Sequence, residues 1–250
     1  MTRLETLPFK GKPTDTAGLR ASLRAPDLQK RRRDLLDSFE REGDPGVQLE
    51  AAFIEYMIHD FDSALASAQA AYRELRRQKR NRRAALAATA VGRIYFEGLN
   101  NQAAARGWLA RGRTMLADEG DCVERGWVEL GLVGCSVTDV GALATKAAEA
   151  VKLARKFDDL DLECKALADQ GLALVTLGLT SEGMELIDEA MAILSSGEVH
   201  SFAAGQVSCC TLSACERIGD LARAESWLRV LEEAGMSTND LQTPILFAHC

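Results

Sequence analysis

The chain has 250 residues, 47% apolar and 27% charged, so it is composed like a folded protein and is long enough for two ordinary domains or one elongated array. Aromatic residues make up only 6% and there are five prolines, which together with abundant alanine favours closely packed helices and excludes a large core of Phe and Trp. A formal charge of −7 argues against general nucleic-acid affinity, so direct nucleic-acid binding is not expected.

In chain order, residues 1–26 read as a flexible basic arm, since they carry three of the prolines (Pro8, Pro13, Pro26) and little periodicity. Residues 27–46 read as a leading helix and a breaker. Asp27 is the expected cap, Leu28, Leu35, Leu36 and Phe39 form the apolar face, and Gly43, Asp44, Pro45 and Gly46 end it. Residues 47–240 follow the helical period, interrupted by short polar turns, and read as five helical hairpins. Residues 241–250 read as the start of an incomplete sixth repeat. Its apolar face (Leu241, Ile245, Leu246, Phe247) is expected to pair with a second copy, giving a homodimer through the carboxyl-terminal end, or else to fray.

The repetition rests on small residues. Ala64, Ala104, Ala144, Gly183 and Ala224 recur at a period near 40, each in the second helix of a hairpin, followed four residues later by Ala68, Trp108, Ala148, Ile187 and Leu228. Twelve residues before each small position stand Ala52, Gly92, Leu132, Gly171 and Leu212, in the first helix. Two antiparallel helices approach closely only where one lacks bulk, so these pairs mark the expected crossings. The turns contain His59 and Asp60, Leu99 and Asn100, residues 137–139, residues 178–181, and Gly219 with Asp220.

Charge is unevenly placed. Residues 1–33 hold nine Lys or Arg against three acids, whereas residues 158–200 hold ten acids against one Lys. Arg73, Arg76, Arg77 and Arg80, spaced i, i+3, i+4, i+7, form a basic face able to meet phosphate or carboxylate, with a solvated helix end as the blander reading. No aromatics interleave with it, which tells against stacking on bases.

Seven cysteines, an odd set with no Cys-x-x-Cys pair and no secretory signal before them, fit cytoplasmic usage. Cys209, Cys210 and Cys215, with His200 nearby, are the most tempting chemical feature. Adjacent helical residues point about 100° apart, so the pair cannot share one tetrahedral ion, and the cluster reads as small buried apolar residues. Trp108, Trp127 and Trp227 read as core or interface filler. No phosphate loop, dinucleotide fingerprint, zinc-protease motif or nucleophile elbow occurs, and three histidines in separate units offer few general bases. No enzyme, cofactor or metal is therefore expected. No run of about eighteen apolar residues occurs, so no membrane association is expected either.

Residues 218–228 (IGDLARAESWL) and 92–112 (GRIYFEGLNNQAAARGWLARG) resemble tetratricopeptide repeats in their Gly, aromatic, turn, Ala, large-apolar order. The longer unit is similar to the helical arrays of bacterial LuxR-type and MalT-like transcription regulators, over roughly residues 47–250, with residues 153–191 and 197–220 among the segments that resemble them. The resemblance implies an all-α, right-handed superhelical solenoid of tetratricopeptide-like hairpins. It further implies a non-catalytic scaffold in a bacterial regulatory system that holds a protein, a peptide or a small effector on its concave face. In such arrays the first helices line that face, so Tyr56, Arg93, Phe96, Glu97, Glu129, Gln206, Glu216 and Arg217 become the expected partner-binding groove. Two alternatives stay open: an effector-binding fragment of a LuxR-type regulator without its ATPase and DNA-binding parts, neither of which is visible here, and an enzyme of unforeseen type using the acidic carboxyl half.

Overall fold

Asp and Asn residues punctuate the chain where the helical pattern breaks, and their side chains start the helices. In the computed structural model, which describes residues 25–135, 139–199 and 201–233, Asp60 accepts a hydrogen bond from the Ser63 amide at 3.2 Å, Asn101 from Ala104 at 3.0 Å and Asp139 from Ala142 at 2.8 Å. Asp159 and Asp220 do the same for Leu162 at 2.8 Å and Arg223 at 3.1 Å. Each satisfies one amide that the helix itself leaves orphaned. The described residues contain eleven α-helices and no strand.

The chain divides into two units. The first contains α1 (Ala25–Glu42), α2 (Pro45–Met57), α3 (Phe61–Arg77), α4 (Asn81–Arg93), which continues as a π-helical turn over Ile94–Gly98, α5 (Gln102–Met115) and α6 (Val123–Gly134). The second contains α7 (Val140–Phe157), α8 (Leu160–Thr176), α9 (Thr180–Ser195), α10 (Ser201–Ile218) and α11 (Leu221–Glu233).

Within the first unit each helix packs on the next, and α4 also packs on α6. Within the second, α7 packs on α8, α8 on α9 and α10, and α10 on α11. Contact between alternate helices is what stacked hairpins require. The cores are built largely from Ala and Leu: Ala64, Ala68, Ala71 and Leu75 of α3, Ala84, Ala87, Ala88 and Val91 of α4, and Leu162, Ala166 and Leu167 of α8 are all buried.

The expected crossings hold in two pairs and shift in a third. A Cβ on Gly171 of α8 would lie 2.7 Å from the Gly183 carbonyl oxygen of α9, so small residues are required there. Ala52 and Ala64 are buried where α2 meets α3. In α5 the close approach belongs to Ala105, whose carbonyl would lie 3.2 Å from a Cβ on Gly92, while Ala104 is only half-buried. A single-residue offset moves a side chain by about 100° around the helix, which explains the correction. Leu132 and Ala144 lie in different units.

Two boundaries also move. The first helix begins at Ala25, with Pro26 and Asp27 inside its first turn, rather than being capped by Asp27. Pro45 and Gly46 belong to the first turn of α2, with Asp44 as its cap at 2.9 Å from the Gly46 amide, so the breaker shrinks to Gly43 and Asp44. Proline suits a helix start because the amide it lacks would have had no partner. The sixth-repeat segment, residues 241–250, and most of the basic arm lie outside the described residues, as do Val137, Thr138, His200 and Cys250.

Candidate partner-binding site

The most developed polar constellation of the first unit is built by α2 and the π-turn that ends α4. The Leu99 amide donates to the Ile94 carbonyl at 3.1 Å, five residues back, and the Asn101 amide to Tyr95 at 2.7 Å. Such a turn widens the helix and changes where its last side chains aim, a device frequent at functional sites. Gly98 lies in this segment, and a Cβ there would come within 2.8 Å of the Phe61 ring. Glycine is therefore needed for the turn to rest on α3.

Through this turn Glu97 reaches Tyr56, whose hydroxyl donates a short hydrogen bond to its Oε2. Arg93 lies one helical turn before Glu97, with Nη1 3.6 Å from its Oε1. Burial, then the negative charge of Glu97, hold the Tyr56 hydroxyl protonated well above the usual phenol range, with Arg93 opposing. Tyr56 also packs on Phe61 with ring centroids 5.8 Å apart, and His59 meets the same ring edge-on. A hydroxyl, a carboxylate, a guanidinium and an aromatic cluster thus converge where α2 meets the end of α4.

Of the expected groove residues, Tyr56, Arg93 and Glu97 come together. Phe96 sits on the same turn but packs against the buried cluster of Ala105, Leu109 and Cys135. Glu129 of α6 is engaged by Arg113 of α5 in a two-pronged pair at 2.8 and 2.7 Å. In the second unit Gln206 is buried with its Oε1 unpartnered, and Glu216 and Arg217 are exposed at the end of α10.

The basic face is not one helical stripe. The helix ends at Arg77, Lys79 takes a left-handed conformation at φ +58°, and Arg80 stands before α4 as its capping residue. Arg77 donates to both oxygens of Glu74, and Arg80 reaches Asp44 at 3.3 Å. Arg73 and Arg76 are exposed on α3.

Cys209, Cys210 and Cys215 all lie on α10, the first two half-buried and the third buried. Cys210 donates to Asp169 Oδ1 at 3.6 Å, and Asp169 is paired with Lys165 one turn earlier on α8. Burial, reinforced by Asp169, pushes the Cys210 thiol well up, away from the reactive thiolate. Among the described residues no group of three His, Cys, Asp or Glu is arranged to hold a metal ion, and no helix is long and apolar enough to cross a membrane. Trp127 is buried, Trp108 stacks edge-on against Tyr72, and Trp227 donates to Asp188 at 2.8 Å.

Sequence reasoning missed the buried carboxylates between α1, α2 and α4. Glu50 and Glu55 are 4% and 2% exposed. Arg31 lies 3.7 Å from Glu50, while Arg32 reaches Glu55 at 3.1 Å and Asp60 at 3.3 Å, so charge fastens α1 to the first hairpin. Burial raises the Glu50 carboxyl from 4.5 to about 7 against the opposing pull of Arg31 and Arg83. The only sequence signal was the run of cations at residues 30–33 facing a hairpin with acids at matching helical spacing.

No family model matches the chain, and comparison with curated proteins finds no significant match.

Proposed function

We propose that the protein is a non-catalytic interaction scaffold: a right-handed superhelical stack of tetratricopeptide-like hairpins, with a period near 40, that holds a protein or peptide partner on its first helices. The observation that carries this reading is the convergence of Tyr56, Arg93 and Glu97 from successive first helices α2 and α4, one repeat apart. The Tyr56–Glu97 contact spans 41 residues, as does the Cys210–Asp169 contact between α10 and α8. Equal spacing of like contacts in the two units favours repetition of one structural element. The cellular setting, a bacterial regulatory system in the cytoplasm, rests on the resemblance of residues 153–191 and 197–220 to arrays of that kind.

A partner side chain entering between Tyr56 and Arg93 would exchange hydrogen bonds with groups already oriented by the π-turn, so little ordering cost attaches to the site. Affinity capture from the native host, using the full chain and the Glu97→Lys and Tyr56→Ala variants, tests the reading. The expected result is a protein retained by the wild-type chain and lost with both variants while their helicity is unchanged. Retention of the same proteins by all three would contradict it.

A further inference from the structure

The cations around α3 and α5 are not equivalent. Arg77 is held by Glu74, Arg80 by Asp44, Arg82 by Glu119 and Arg113 by Glu129. Arg73 and Arg76 of α3 and Arg111 of α5 are exposed, and no described carboxylate pairs with them. Arg76 follows Tyr72 by four residues and Arg111 follows Trp108 by three, so each lies on the same side of its helix as that ring.

These rings meet. Tyr72 and Trp108 stack edge-to-face with centroids 5.1 Å apart at 88°. The helices that carry them each pack on α4 but make no extended backbone contact with each other. The ring contact therefore brings the arginine-bearing turns of α3 and α5 near one another. Tyr72 is 4% exposed, so its ring is a buried base beneath this surface.

We propose that this arginine surface docks an acidic polypeptide segment, with Arg76 and Arg111 clasping carboxylates and Arg73 adding to the attractive field. Guanidinium forks match carboxylates in shape as well as charge. A single-stranded nucleic acid fits less well, because base stacking needs open ring faces and Trp108 is half-buried with its partner ring set edge-on. This surface lies on the second helices and does not rest on the reading of Tyr56, Arg93 and Glu97.

The test is fluorescence anisotropy of a labelled peptide repeating Glu-Glu-Phe, alongside a labelled single-stranded oligodeoxythymidylate, titrated with the full chain at low and physiological salt. The peptide is expected to bind, more weakly as salt rises, and the R76E/R111E double variant to lose about tenfold or more in affinity. The Arg229→Glu variant, altered on the second unit, is expected to bind as wild type. Equal peptide binding by wild type and R76E/R111E would overturn the proposal, as would binding of the oligonucleotide alone. Failure of the peptide to bind wild type at low salt would overturn it too.

Discussion

Gly171 and Gly183 face each other across the crossing of α8 and α9, so closely that a Cβ on either would lie within 2.7 Å of the other's carbonyl oxygen. The obstructing atoms belong to backbone, so relief requires one helix to move. Alanine in a helix interior gains about 1 kcal/mol over glycine, but overpacking costs about 1 to 3 kcal/mol. Gly171→Ala and Gly183→Ala are each expected to lower stability to urea by about 1 to 2 kcal/mol. Gly107→Ala on the exposed side of α5, where a Cβ meets nothing within 4 Å, is expected to raise it by about 0.5 to 1 kcal/mol.

Stability should also depend on the proton held by Glu50. Its carboxyl is raised from 4.5 in the unfolded chain to about 7 in the fold, so between these values the folded state binds the extra proton. Stability therefore falls as pH rises through this window, and the loss is complete above about 7. Glu50→Gln keeps the shape and cannot ionise, so its urea midpoint is expected to vary less from pH 5 to pH 8, by about 2 kcal/mol in stability. A wild-type curve that rises across this interval relative to the variant would contradict the assignment.

The ion pairs of Arg32 give α1 its hold. Glu55 is almost wholly buried while Arg32 is 27% exposed, so losing the guanidinium strands a carboxylate at a cost discounted by solvent to about 2 kcal/mol. Arg32→Ala is expected to speed amide hydrogen exchange along α1 more than along α3. Uniform acceleration in both helices would mean that α1 is integral to the core of the unit.

At the candidate site, Tyr56→Phe removes the hydroxyl donated to Glu97 and leaves the ring on Phe61. Thermal unfolding is expected to register a loss of about 1.5 to 3 kcal/mol, the usual net worth of a hydrogen bond to a charged acceptor. Glu97→Gln, which still accepts from Tyr56, is expected to lose less.

The helical punctuation was legible because Asp60, Asp139 and Asp220 cap helices by a local rule that needs no tertiary knowledge. The Gly171 and Gly183 crossing was legible because small residues at a fixed interval report close packing. The π-turn was not, since residues 94–98 have an apolar pattern that an α-helix would fit equally well. Nor was the interruption of the arginine stripe, which depends on Lys79 entering the left-handed region. Trp108 meets Tyr72 because α3 and α5 both pack on α4, so an aromatic distant from the stripe in sequence stands against the ring that adjoins it. The burial of Glu50 and Glu55 also escaped notice, because acids default to the surface unless a partner helix supplies cations.

The central claim is that the first helices present the partner-binding face. Its most direct test is hydrogen exchange of the full chain with and without the protein captured by the wild type, followed at peptide resolution. The account predicts protection concentrated at the end of α2 around Tyr56 and across residues 93–98, abolished by Glu97→Lys. Protection confined to segments away from α2 and α4, or unaltered by that substitution, would contradict it.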